Sequence, residues 1–196
     1  MYSGMENPQL TFYAQSEMEN ENLTRIMTHE IAHSWFGNTV TYKNVEHYWL
    51  NEGFTTFLTS NMIAKVHGTP EQGLWEALEW DKLKREIEDF EERKWPFLAL
   101  VNNLTGEEVH QIIFKAFSSS GIPPVAGSGL GQGVMSKIQY QKGSIFLWYL
   151  QNLVGQKQFF HFLKKYLREF AFLNVDSQDF KHFFDKSFPS RNCKKI

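Results

Sequence analysis

Cysteine is nearly missing from this chain. Cys193 is the only one in 196 residues. A single thiol closes no internal disulfide, so nothing here points to an oxidising compartment or a disulfide framework. Long apolar runs are missing too. No segment approaches the ~20 residues that cross a bilayer, and no charged region followed by an apolar stretch opens the chain. A cytoplasmic protein without a membrane segment is therefore expected. Neither charge sign dominates: 20 basic and 22 acidic residues give a net charge of −2, with no basic block before Lys194-Lys195. That balance argues against a nucleic-acid surface.

What is present is an ordinary globular composition, 42% hydrophobic and 21% charged, in a chain long enough to bury a core. Aromatics reach 16%, with eighteen Phe concentrated in the last third, which reads as the packing of a helical core. The organisation expected is one domain over residues 1–188 with a tail at 189–196. The chain opens on MYSGMENPQLTFYAQ, an extended segment by its Gly, its Asn-Pro and its β-prone LTFY. Gly4 there suits a strand edge that a second backbone, such as a peptide substrate, approaches closely.

Helical spacing predicts a helix over roughly 23–37, with Ile26, Met27, Ile31 and Ala32 on its buried side. A second is expected over 47–67, closed by Gly68, and a third over 70–93 with Leu74, Ala77, Leu78, Leu83, Ile87 and Phe90 in a stripe. WPFLALVNNLT reads as loop or strand and EEVHQIIFKAF as a short amphipathic helix. Residues 118–137 carry five Gly and two Pro and read as a flexible, insertion-like loop. From Tyr140 onward the chain is helical, and Asp176 is the expected N-cap of the last helix.

One stretch demands a chemical explanation. His29, Glu30 and His33 form H-E-x-x-H, and Glu52 follows after eighteen residues. Positions i and i+4 share a helix face, so both imidazoles can grip one metal ion with Glu30 beside it. A helix continuing straight would carry Glu52 about 28 Å along the axis, far beyond a metal–oxygen bond of about 2 Å. The chain must reverse. Gly37-Asn38 ends the first helix, TVTY is β-prone, and a new apolar segment begins near Tyr48. Two His and a Glu with a fourth position left open form the ligand set of a catalytic zinc site, one ion per chain, with Glu30 as general base. His47, His67, His110, His161 and His182 have no partner spacing and are left out.

HEIAHSWFGN, WLNEGFTTF and Gly4-Met5-Glu6-Asn7 resemble the gluzincin zinc aminopeptidases, metallopeptidases of the membrane alanyl aminopeptidase type. GMENPQLTF, YQKG and FFHFLKKYLREF look most like the leukotriene A(4) hydrolase and aminopeptidase B branch. The resemblance implies a thermolysin-like zinc catalytic domain, mainly α with a small β element and incomplete on its N-terminal side, so that this chain is a central catalytic segment. It implies peptide substrates with a free N-terminus, bound by Gly4, Met5, Glu6 and Asn7, with Glu6 pairing the ammonium. It also implies an oxyanion donor at Tyr140. The chain departs from the family pattern at Ser3, where a Gly is usual, and at Gln139 and Gln141, where the motif around Tyr140 has Pro and Glu. The competing reading is a catalytically impaired family member that binds zinc or a partner without turnover.

Overall fold

The computed structural model describes residues 4–17, 23–92, 98–101 and 137–189. The expected helix over 107–117 and the glycine-rich run up to residue 136 lie outside them. Gly4–Met5 (β1) and Phe12–Tyr13 (β2) pair antiparallel, Gly4 opposite Tyr13. The turn between them closes with the Leu10 N–H donating to the Asn7 carbonyl at 3.0 Å. Besides the paired strand, Gly4 has a close side-chain neighbour. A Cβ there would lie 2.5 Å from Cδ and 2.8 Å from Cγ of Glu30.

Leu23–Ala32 (α1) ends earlier than the sequence suggested. Beyond Ala32 the turn tightens, with Ser34 and Trp35 donating three residues back to Ile31 and Ala32 at 3.0 and 3.1 Å. Gly37 then adopts φ 134°, and the Asn38 N–H returns to the His33 carbonyl at 3.0 Å. The buried face of α1 also differs from expectation. Ala32 is fully buried, but Met27 and Ile31 are 41% and 48% exposed, while Glu30 and His33 point inward. The inward stripe of this helix is polar because it faces the carboxylates of Glu6, just after β1, and of Glu52.

Thr41–Tyr42 (β3) carries the reversal and pairs in parallel with Asn174–Val175 (β4) near the far end of the chain. After a single 3-10 turn at Val45–His47, Trp49–His67 (α2) runs back through the centre. It is buried on almost every side of its first three turns. Thr69–Glu92 (α3) buries Leu83 and Phe90, but Leu74 and Leu78 of its expected stripe are 55% and 41% exposed. Its first half turns Gln72, Trp75 and Glu79 inward instead, with Glu76 accepting from Ser60 of the preceding helix. Lys137–Val154 (α4), Gln156–Glu169 (α5) and Ser177–Ser187 (α6) complete the helices. Asp176 caps α6 as expected, accepting from the N–H groups of Gln178 and Asp179, while the Asp179 side chain accepts from the Asp176 N–H. The aromatic core joins α2, α4, α5 and α6 through Phe54, Phe57, Leu147, Phe162, Tyr166 and Phe180, each buried. No described helix is long and apolar enough to cross a membrane.

The contact that sets the site's width is the crossing of α2 and α4. A Cβ on Gly53 would stand 2.8 Å from the Cα of Gly143, so the two backbones touch without intervening side chains. Glu52 precedes one of these glycines, and Tyr140 lies one turn before the other. Gly53→Ala should therefore force the helices apart. Overpacking costs about 1–3 kcal/mol and helix propensity returns only about 0.5–1 kcal/mol. Gly73 in α3 has nothing within 4 Å of an added Cβ. Gly73→Ala should thus stabilise by about 0.5–1 kcal/mol while Gly53→Ala destabilises, and urea unfolding of the two variants checks the opposite signs.

Candidate functional site

The last turn of α1 and the first turn of α2 face each other across the reversal. His29 and His33 stand edge to face, ring centroids 4.9 Å apart. Glu52 Oε2 lies 3.1 Å from His29 Nε2 and 3.4 Å from His33 Nε2. Four donors held ~2.0–2.1 Å from a tetrahedral ion stand about 3.3 Å from one another, so these three atoms are spaced as zinc ligands are. The donor chemistry agrees. His33 Nδ1 lies 2.9 Å from the carbonyl of Phe36, which can only accept, so Nδ1 carries a proton, and in the neutral ring that a metal binds the Nε2 lone pair faces the cluster. Thr55 also donates to that carbonyl at 3.0 Å and lies 3.2 Å from Nδ1. A second grouping, Glu6, Glu30 and His33, is also close enough to hold an ion. Its histidine faces Glu6 with Nδ1, at 3.9 Å, and that nitrogen is already committed to Phe36. The three residues singled out from the spacing therefore fit a zinc ion better.

Electrostatics follow from burial and pairing. Burial would raise the Glu52 carboxyl, but hydrogen bonds from His29 and His33 hold it well below the usual carboxylate range. Burial would lower His33, yet the carboxylates of Glu52 and Glu6 push it up. His29 is lowered, chiefly by burial, with Glu52 opposing. Glu30, 7% exposed and packed beneath Gly4, is pushed up to about 7 by burial, with His33 opposing and Glu6 and Glu52 adding to the rise.

The other residues singled out in the sequence reach the cluster unequally. The Glu6 backbone is anchored at the reversal, its carbonyl accepting from Asn38 Nδ2 at 2.9 Å. Gly4 touches Glu30, whereas Met5 is 45% exposed and Asn7 serves the β1–β2 turn through its carbonyl. Tyr140 does arrive. Its ring stacks on His29 with centroids 6.0 Å apart, and its hydroxyl lies 2.7 Å from that of Tyr48. Burial, then the Glu52 charge, raises both phenols well above their ordinary values. Gln141 donates to Glu79, which also pairs with Arg25 at 2.8 Å. A Glu at position 141 would set two carboxylates against each other, so the departure from the motif fits its neighbour. Among the histidines left out, His47 contacts Ser177 Oγ at 3.0 Å, while His67, His161 and His182 are exposed. None of these four joins a metal-competent group among the described residues, and His110 lies outside them.

Sequence reasoning missed Tyr48, Thr55 and the Gly53–Gly143 contact. Helical periodicity carried a signal for the first two: Tyr48 is four residues before Glu52 and Thr55 three after it, on the same face of α2.

With this geometry in place, comparison with known proteins gives a consistent result. The Peptidase family M1 domain matches residues 1–117 and 131–196. Leucine aminopeptidase 2 of Neosartorya fischeri is 37% identical over 182 residues, and that of Emericella nidulans 36% identical over 182. In both cases 92% of this chain is covered but only 26% of the relative, so the chain spans about a quarter of their length. Yeast leukotriene A(4) hydrolase in complex with bestatin superposes with a TM-score of 0.78 at 28% identity, over 96% of this chain and 27% of that one. A two-domain M1 zinc metallopeptidase bound to L-tryptophan shares the fold, with a TM-score of 0.65 at 20% identity over 95% of this chain and 34% of that one. The mainly helical architecture, the two facing helix ends and the family domain matched on both sides of residues 118–130 lead to one assignment: the chain belongs to peptidase family M1.

Proposed function

We propose that this chain carries the reaction centre of a zinc-dependent aminopeptidase that removes residues from peptides with a free N-terminus. The observation that carries the reading is the convergence of His29, His33 and Glu52 on one point, with their donor atoms within 4.8 Å of one another. Zinc held by these three residues supplies a Lewis acid that brings the pKa of water to about 7. Glu30, buried beside them with its own pKa raised to about 7, is suited to take a proton from water and return it to the departing amine. Tyr140, whose ring lies on His29, is suited to donate a hydrogen bond to the oxyanion as the scissile carbon becomes tetrahedral. Glu6 sits at the rim of the cluster, where its carboxylate can pair with the substrate ammonium and limit cleavage to N-termini.

Zinc analysis tests the ligand set. The purified chain should hold one zinc, and a folded chain without stoichiometric metal would overturn the reading. Glu30→Gln should retain zinc and lose turnover by two or more orders of magnitude, whereas Glu52→Gln should lose the metal; the general-base contribution alone is about 10²–10⁴-fold. Equal loss of metal in both would reverse the roles.

The pH profile follows from the same residue. Glu30 must be ionised to accept a proton, and its pKa in the metal-free chain is about 7. A dication beside it favours the carboxylate, so kcat/KM should fall with acid at or below that pH, and stopped assays from pH 4 upward locate the limb.

Glu6→Ala should lower kcat/KM on free aminoacyl substrates by about 10- to 100-fold, equivalent to the roughly 1.5–3 kcal/mol of a charge-assisted hydrogen bond. N-acetylated analogues should be unaffected. Equal losses on both would remove Glu6 from ammonium recognition.

A further inference from the structure

Tyr140 does not stand alone. The hydroxyl of Tyr48 lies 2.7 Å from it, and Tyr48 is 6% exposed. The Tyr48 ring is held edge to face by two others, Tyr42 at 5.7 Å and Tyr140 at 5.7 Å. Its backbone is fixed at the entry of α2, four residues before Glu52, with φ −54° and ψ −30°. Tyr48 is thus built into the same helix turn as a metal-competent residue. Tyr140 sits in the first turn of α4, behind Gln139, where the motif has a Pro whose ring would fix the backbone. The helical backbone places the Tyr140 ring, and a side-chain contact from the N-cap of α2 adds a constraint on its hydroxyl.

Resting on the aminopeptidase reading above, we propose that Tyr48 is a positioning residue: its hydroxyl donates to Tyr140 Oη and aims the Tyr140 O–H at the oxyanion. Each phenol has one proton. If Tyr140 donated to Tyr48, its proton would be consumed within the pair. With Tyr48 as donor, Tyr140 Oη accepts one hydrogen bond and keeps its own proton for the substrate. Negative charge developing on the substrate oxygen favours this direction, since hydrogen bonds in a chain polarise one another. No proton leaves either phenol.

The test compares Tyr48→Phe, Tyr140→Phe and the double variant in the zinc-loaded chain. Tyr48→Phe keeps the ring and its packing. It should lower kcat by about tenfold while KM and zinc content stay put, a fraction of the roughly hundredfold that a one-ångström misplacement costs. In the double variant, removing Tyr48's hydroxyl should cost nothing beyond Tyr140→Phe. Unchanged kcat, a rise in KM alone, or losses that multiply would each overturn the proposal. A second readout needs no turnover. In protein labelled with ¹³C at tyrosine Cζ, the Tyr140 resonance, assigned through Tyr140→Phe, should move in Tyr48→Phe. If the native chain hydrolyses nothing, the aminopeptidase reading fails by itself. An unmoved resonance then overturns the Tyr48 contact, and a shifted one sustains it.

Discussion

A carboxylate that is 4% exposed needs compensation, and Glu52 obtains it from two imidazoles on another helix. An uncompensated buried charge costs several kcal/mol, so the surrounding structure is arranged to keep the partners in place. The tightened end of α1 turns His33 inward, and Gly37 lets the chain pass beside it, where a Cβ would sit 2.7 Å from Nδ1. Thr55 and the Phe36 carbonyl hold the ring's far side. The touching backbones of Gly53 and Gly143 bring a further aromatic ring, Tyr140, to the same point.

The metal-competent trio was legible because it rests on local geometry. A helix places residues four apart on one face whatever surrounds it, and a Gly-Asn stop followed by a β-prone run is a reversal in almost any context. The Asp176 cap was legible for the same reason. Burial was less so. Apolar periodicity put Met27 and Ile31 on the inner side of α1, yet the inner side holds Glu30 and His33. Periodicity reports that a helix has faces, and only its partners decide which face turns inward. Leu74 and Leu78 on α3 repeat the lesson.

The two glutamines flanking Tyr140 show a different limit. As a string, Gln141 is a departure from a motif. In three dimensions it answers Glu79, which in turn answers Arg25, one turn ahead of His29. This polar chain ties the start of α4 to the start of α1 by way of α3. Tyr48 is a similar case: its ring could be read as one more aromatic of a hydrophobic helix, until its hydroxyl is found against that of Tyr140.

The parallel pairing of Thr41–Tyr42 with Asn174–Val175 carries a consequence for the order in which the chain acquires its shape. The segment that redirects the backbone between His33 and Glu52 is secured by a strand more than 130 residues further on, reinforced by Lys43 reaching Asp176 at 2.8 Å. Closing so long a loop is slow compared with forming the helices themselves. α1 and α2 can coil at once, but their mutual alignment waits for Asn174–Val175 to arrive. His29, His33 and Glu52 therefore take up their final spacing only once the Thr41–Tyr42 and Asn174–Val175 pairing has formed.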